Sequence, residues 1–196
     1  MTLKDVKHWV FDMDGTLTLA VHDFAAIRVA LAIAPEDDIL THLNGLPADE
    51  AAAKHAWLLE HERELALAST AAPGAVELVR ELAARGYRLG VLTRNAQELA
   101  YITLKAIGLD ECFAPQDVLG RENAAHKPDP DGLLKLAKAW QVQPSSMVMV
   151  GDYRFDLECG RAAGSQTVLV NVPDNPWPEL TDWHAKDCRD LHRLVK

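Results

Sequence analysis

Four short apolar runs, each closed by a polar turn residue, alternate with longer amphipathic stretches along this 196-residue chain. The runs at 8–11, 87–92, 147–150 and 167–170 are rich in Val and Leu and too short for helices. Continuous apolar runs of that length predict parallel strands buried on both faces. Between them, residues 74–85, 95–107, 131–140 and 154–163 repeat apolar side chains at helical spacing. Pro73 and Pro130 stand at helix starts, and Gly86, Gly108 and Gly164 where helices should end. The alternation predicts an α/β fold, doubly wound around a mostly parallel sheet.

One segment breaks the alternation. Residues 19–72 contain no credible strand, only Ala-, Leu- and Glu-rich helical sequence with breaks at Pro35, at 44–47 and at Ser69–Thr70. The expected organisation is a core of residues 1–18 and 73–196, with a small all-helical cap, residues 19–72, inserted after the first strand. A cap there would lie over the carboxyl ends of the strands, where open α/β sheets bind ligands. The alternative is a pair of ordinary crossover helices.

The run Val10-Phe11 leads into Asp12-Met13-Asp14-Gly15-Thr16-Leu17-Thr18. If the extended conformation persists through Met13, both carboxylates point the same way, and Gly15 allows the turn that ends the strand. Two like charges this close require that one be protonated or that a cation sit between them. Magnesium suits hard oxygen ligands of this kind. The plainer reading is an Asp-Gly turn at a strand end. The string DxDGTxT after an apolar run, however, resembles the haloacid dehalogenase-like superfamily, whose phosphatases carry this motif at the end of the first strand.

That resemblance makes three demands downstream, and the sequence meets them in order. Leu92-Thr93-Arg94-Asn95 ends an apolar run in a hydroxyl that, with free N–H groups of a helix start, can hold a phosphate oxygen. His126-Lys127-Pro128-Asp129-Pro130 supplies a compact cation between two stiffening prolines. Gly151-Asp152-Tyr153-Arg154-Phe155-Asp156 follows a further run; if a helix opens there, Asp152 caps it and Asp156 returns to the same face. Each motif alone has a structural reading: a helix cap, a solvated lysine, a capping and a surface aspartate. Together they extend over residues 8–164.

The resemblance implies a Rossmann-like fold and a Mg2+-dependent phosphatase, nearest a phosphoglycolate phosphatase-like subfamily, acting on a small phosphorylated metabolite. Asp12 is implied as the nucleophile that forms an aspartyl-phosphate, and Asp14 as general acid and base. Thr93, Lys127 and Asn95 are implied as phosphate-binding. By analogy the metal is held by the Asp12 carboxylate, the Asp14 backbone carbonyl and the Asp152 carboxylate, while Asp156 orients a metal-bound water or pairs with Lys127. His126 is given no role.

A phosphomutase of the same superfamily is the main alternative, since it shares all four motifs and a cap. The dehalogenase branch needs no carboxylate at Asp14, and the phosphonate-cleaving branch needs a cap lysine, for which only Lys54 is available. A signalling receiver domain also clusters aspartates with a Thr and a Lys, but it carries its phosphorylated aspartate on a later strand and has no cap. Among the residues of the expected cap, His22, Arg28, His42, Lys54, His55, His61 and Arg63 are read as solvated, and Asp23 and Phe24 as structural. The Pro- and Trp-rich stretch at 175–183 is expected to pack the edge of the last strand.

The formal net charge of −9 argues against nucleic acid or an anionic membrane as partner. The most apolar helical stretch, around residues 25–34, carries Arg28 and is too short to span a bilayer. Three scattered cysteines without a CxxC pair and an N-terminus without a long apolar stretch point to a reducing, cytoplasmic setting.

Overall fold

The computed structural model describes residues 2–20 and 23–196. β1 (His8–Phe11) lies at the centre of the molecule. Trp9 and Phe11 enter one apolar cluster and Val10 another, the two-residue period that a strand imposes. β4 (Met147–Gly151) repeats the division, with Val148 and Val150 on the first face and Met147 and Met149 on the second. Both faces are covered, so these strands read as unbroken apolar runs.

The remaining strands are β2 (Arg88–Leu92), β3 (Val118–Leu119), β5 (Gln166–Val170) and β6 (Trp183–Ala185). The sheet order is β3-β2-β1-β4-β5-β6. Every pairing is parallel, so the sheet expected to be mostly parallel is parallel throughout. The two edge strands, two and three residues long, are too short to register as periodicity. The stretch expected to pack the last strand's edge leads into β6, with Trp183 opposite Val168.

α4 (Ala75–Ala84), α5 (Gln97–Ala106) and α8 (Cys188–Val195) cover one face. α6 (Asp131–Trp140) and α7 (Arg154–Ala163) cover the other. Several boundaries differ from the sequence reading by a residue or two, and two of them have a visible cause. Tyr87 donates its N–H back to Leu82 and so finishes α4 instead of opening β2. α5 starts two residues later than expected because Asn95 N–H turns back onto the Thr93 hydroxyl, 3.1 Å away, which keeps 93–96 a loop.

Residues 23–67 form α1 (Phe24–Leu31), α2 (Ile39–Asn44) and α3 (Ala48–Leu67), with the breaks near Pro35 and at 44–47 that the sequence indicates. They share a small apolar cluster of Ile27, Leu31, Ile33, Ile39, Leu40, Leu43 and Leu58. The chain leaves and re-enters the core side by side, through Leu19 N–H to Thr70 and Ala72 N–H to Leu17. α3 packs on α5 through Ala66, Ala96 and Leu99. Ion pairs Arg63–Glu98 (2.8 Å) and Arg121–Glu62 (2.9 Å) reinforce that contact.

β1 lies between β2 and β4, so the chain departs in opposite directions on its two sides. That reversal opens a crevice at the carboxyl ends of the strands, the place where folds of this topology bind ligands.

Candidate active site

Asp12 follows β1 directly, with its N–H held by the Val150 carbonyl at 2.9 Å. Gly15 adopts a φ of +86°, and a Cβ there would run into the Asp152 carboxylate, so only glycine closes this turn. Lys127, immediately before α6 and its Pro-rich lead, is buried between two carboxylates. Its Nζ donates to Asp12 Oδ1, and to Asp156 Oδ1 at 2.6 Å. Asp12, Asp152 and Asp156 each bring an oxygen to within 4.8 Å of the other two. The sequence named all four of these residues, and the fold brings them together from β1, β4, α7 and the loop before α6.

Asp14 turns aside from that trio. Its Oδ2 accepts a 2.6 Å hydrogen bond from Asn95 Nδ2, which ties the first acidic turn to the loop after β2. Thr93 is buried at the end of β2 and its Oγ1 accepts from Asn95 N–H. Asp156 serves double duty. Its Oδ2 accepts from Tyr153 N–H at 3.1 Å and so closes the start of α7. The sequence reading gave that capping role to Asp152, but Tyr153 occupies the N-cap position. The Asp152 carboxylate is drawn instead toward the trio and the Thr16 hydroxyl, which donates to it at 3.0 Å.

Four carboxylates and one ammonium in a crevice are electrostatically unbalanced. Burial pushes Asp14 up to about 7, with the Asp12 charge adding to it and the Asn95 hydrogen bond and Lys127 opposing it. Burial likewise raises Asp152 to about 7, helped by Asp12 and Asp156. Asp156 rises to about 6, because burial and Asp12 outweigh the pull of Lys127. For Lys127, burial works against its charge, but Asp12 and Asp156 prevail and hold the ammonium above its ordinary range. The oxygens of Asp12, Asp152 and Asp156 form an anionic, all-oxygen cluster; Lys127 already occupies Asp156, so a hard divalent cation fits beside Asp12 and Asp152.

Two supports escaped the sequence reading. Asn171, just past β5, donates from Nδ2 to the carbonyls of Gly15 (2.7 Å) and Thr16 (2.9 Å), pinning the acidic turn from below. Its signal was the same as that of Thr93, a polar residue ending an apolar run. Thr16 stood in view inside the acidic motif. The residues at 23–67 set aside on sequence mostly satisfy one another: Arg28 donates to the Asp37 carbonyl, His42 lies 3.1 Å from Asp37, Lys54 pairs with Glu50, and His61 stacks on Trp57. Asp23 caps α1 through Ala26 N–H. Arg63 reaches Glu98 of α5, and His22 lies outside the described residues. Among the described residues no helix is long and apolar enough to cross a membrane.

The family model described as a haloacid dehalogenase-like hydrolase matches residues 6–164. A haloacid dehalogenase-like hydrolase domain-containing protein of Arabidopsis thaliana is 34% identical over 87% of this chain and 73% of its own length. A phosphoglycolate phosphatase of Rhodospirillum rubrum is 31% identical over 84% of this chain and 79% of that protein. In three dimensions, a hydrolase from Pseudomonas syringae superposes with a TM-score of 0.77 over 96% of both chains at 23% identity, a likeness of fold.

Proposed function

The chain belongs to the haloacid dehalogenase-like hydrolases, and from that premise we propose that it is a Mg2+-dependent phosphatase that cleaves a small organic phosphate monoester through an aspartyl-phosphate on Asp12. The observation that carries this reading is the trio Asp12, Asp152 and Asp156 at the topological switch point, with Lys127 held between Asp12 and Asp156. The similarity to a phosphatase of a small carboxylated metabolite supports the substrate class. In this reading residues 19–72 act as a cap over the crevice.

An Asp12 oxygen attacks phosphorus, the phosphorus–ester oxygen bond breaks, and Asp14 gives its proton to the leaving oxygen. Water then attacks the phosphoryl group, Asp14 takes its proton, and Asp12 is released with inorganic phosphate. The raised affinity of Asp14 for its proton suits an acid that must be protonated near neutrality, and Asn95 holds it in place. Lys127, Thr93 and backbone N–H groups receive the phosphoryl oxygens. Asp12, Asp152 and the Asp14 carbonyl would hold the metal, with Asp156 positioning Lys127; bound there, Mg2+ neutralises charge on the transferring phosphoryl group.

A phosphate-release screen over a metabolite panel with Mg2+ tests the reading, with Asp12→Asn as the blank. Asp14→Asn should slow alkyl phosphates by about 100-fold or more, within the range of general acid catalysis. Aryl phosphates, whose leaving groups need little proton help, should be slowed much less. Equal losses in both series would remove Asp14 from the acid role.

Metal binding should also be visible without turnover. Asp14, Asp152 and Asp156 carry folded-state pKa values of about 7, 7 and 6, above the unfolded carboxylate range. Their contribution to stability is complete below about pH 4 and is lost as pH rises through 6 to 7. The metal-free protein should therefore melt lower at pH 8 than at pH 5. Mg2+ held by the Asp152 carboxylate must displace the proton that this group binds below about pH 7, while Asp14 keeps its own for the acid step, so the stabilisation by Mg2+ should grow with pH. At 100-fold excess over its Kd it is worth about 2.7 kcal/mol, roughly 5–10 °C for a chain of this size. A Mg2+ shift independent of pH between 5 and 8 would disprove the assignment of Asp152 as a metal ligand.

A further inference from the structure

Arg94 stands between Thr93 and Asn95, two residues that line the crevice, yet its own guanidinium reaches across to α2. It donates to Asp38 Oδ2 at 2.5 Å. Its Cζ lies 5.9 Å from the ring centroid of Phe155, the neighbour of Asp156. His126, the neighbour of Lys127, lies within the field of Arg94, Arg121 and Asp38. Among the described residues its Nδ1 is buried without a hydrogen-bond partner. The ring beside Arg94 thus belongs to the direct sequence neighbour of Asp156, one of the acidic trio.

The two arginines in this neighbourhood differ in how they are held. Arg121 is gripped by both oxygens of Glu62, with side chains only 15% and 9% exposed. That pair is desolvated and costly to break. The Arg94–Asp38 pair is 31% and 40% exposed, and pairs that solvent reaches contribute little net stability. A carboxylate therefore sits on Arg94 in a site that can exchange it cheaply. Asp38 is also not committed to Arg94 alone: its Oδ1 caps α2 through Thr41 N–H at 3.0 Å and the Thr41 hydroxyl at 2.9 Å.

We propose that Arg94 is the specificity-determining cation for a second anionic group on the substrate, a carboxylate on the leaving-group side, and that Asp38 is an internal carboxylate that occupies this position until substrate displaces it. The inference rests on the phosphatase reading of the adjoining site. Substrate carboxylate would exchange one charge-assisted hydrogen bond for another, and the released Asp38 would keep its cap on α2.

The test uses two matched pairs of esters: phosphoglycolate against ethylene glycol phosphate, and the terminal phosphate esters of glycerate against glycerol. The wild-type enzyme should favour the carboxylated member in kcat/KM. Arg94→Gln should reduce that preference by about 10- to 100-fold, the worth of a charge-assisted hydrogen bond, mainly through KM. Asp38→Asn, which retains a good N-cap residue while removing the competing charge, should lower KM for the carboxylated esters and leave the neutral ones unmoved. No preference in the wild type, or an equal loss of both ester types in Arg94→Gln with unchanged Asp38→Asn kinetics, would overturn the proposal. Melting temperatures of both variants separate a folding defect from a specificity change, because a folding defect scales both esters alike and leaves their ratio intact. Release of phosphate from an aryl phosphate such as p-nitrophenyl phosphate keeps the phosphatase reading apart: turnover without discrimination sinks only Arg94, whereas absence of all turnover sinks the reading of the site.

Discussion

Asp12→Asn should reduce Mg2+-dependent phosphate release by about a thousandfold or more, because in the proposed mechanism it removes the atom that takes the phosphoryl group. The same change should leave the fold in place. Asn keeps an Oδ1 that can accept from Lys127 Nζ, and Lys127 retains Asp156 at 2.6 Å. The substitution also removes one negative charge from a crevice where Asp12 pushes up the pKa of Asp14, Asp152 and Asp156. Those three carboxyls should therefore ionise more readily in the variant. The melting temperature should stay within about 4 °C, the shift of roughly 1 kcal/mol in a chain this long. Residual turnover of a few per cent, with unaltered dependence on Mg2+, would dismiss Asp12 as nucleophile. A collapse in melting temperature would instead show that its charge is structural.

That expectation was available from the acidic turn before any coordinates, and the reason is local. A strand that ends in Asp-Met-Asp-Gly must place its carboxylates at the carboxyl edge of the sheet, whatever surrounds it. The same holds for Thr93 after β2 and Asp152 after β4. Long apolar runs were equally readable, since both faces of this sheet are buried and periodicity is strong there. What the sequence hid is non-local. β3 and β6 are held by pairing with strands already present, at Val91–Val118 and Val168–Trp183, and carry too few residues for a pattern. Asn171 supports Gly15 across 156 positions of chain; as a polar residue ending an apolar run it marks a strand end, but not the partner that it reaches. The cap position of α7 was misread because Asp152 had a better use for its carboxylate than the helix start, and Asp156 took the N–H in its place.

The same non-local logic explains why Arg94 drew no notice. Its neighbours in sequence supply the phosphate-contacting pattern, so it reads as a spacer. Its meaning depends on Asp38, 56 residues earlier, on a helix whose residues looked like solvated surface. Of the ion pairs between residues 23–67 and the core, Arg121–Glu62 on α3 is desolvated, whereas solvent reaches both Arg94–Asp38 and Arg63–Glu98. A segment fastened firmly along α3 and loosely at α2 can shift at α2 while α3 keeps its place on α5.

Lys127→Met should be the most destabilising single change at the site. The methionine stem fills the same slot, but Asp12 and Asp156 then face each other in a buried crevice without their cation. Removing one partner of a buried ion pair costs about 3–5 kcal/mol, which lowers the melting temperature by roughly 6–20 °C in a chain of this size. The pH dependence distinguishes this from a packing defect. Lys127 has its folded pKa raised, so its own contribution is complete below the unfolded lysine value of about 10.4 and is constant from pH 5 to 8. Any change in the gap between wild type and variant over that range must come from the carboxylates. Asp156, at about 6, and Asp152, at about 7, bind protons as pH falls and then need no cation. The gap should therefore be small at pH 5 and widest at pH 8, and Mg2+ should narrow it at pH 8 by supplying the missing charge. Turnover should fall at least about 100-fold even where the variant is folded, because a fixed cation no longer meets the phosphoryl oxygens. A gap that does not vary with pH, or a variant as stable as the wild type at pH 8, would show that Lys127 is not the charge that holds these carboxylates together.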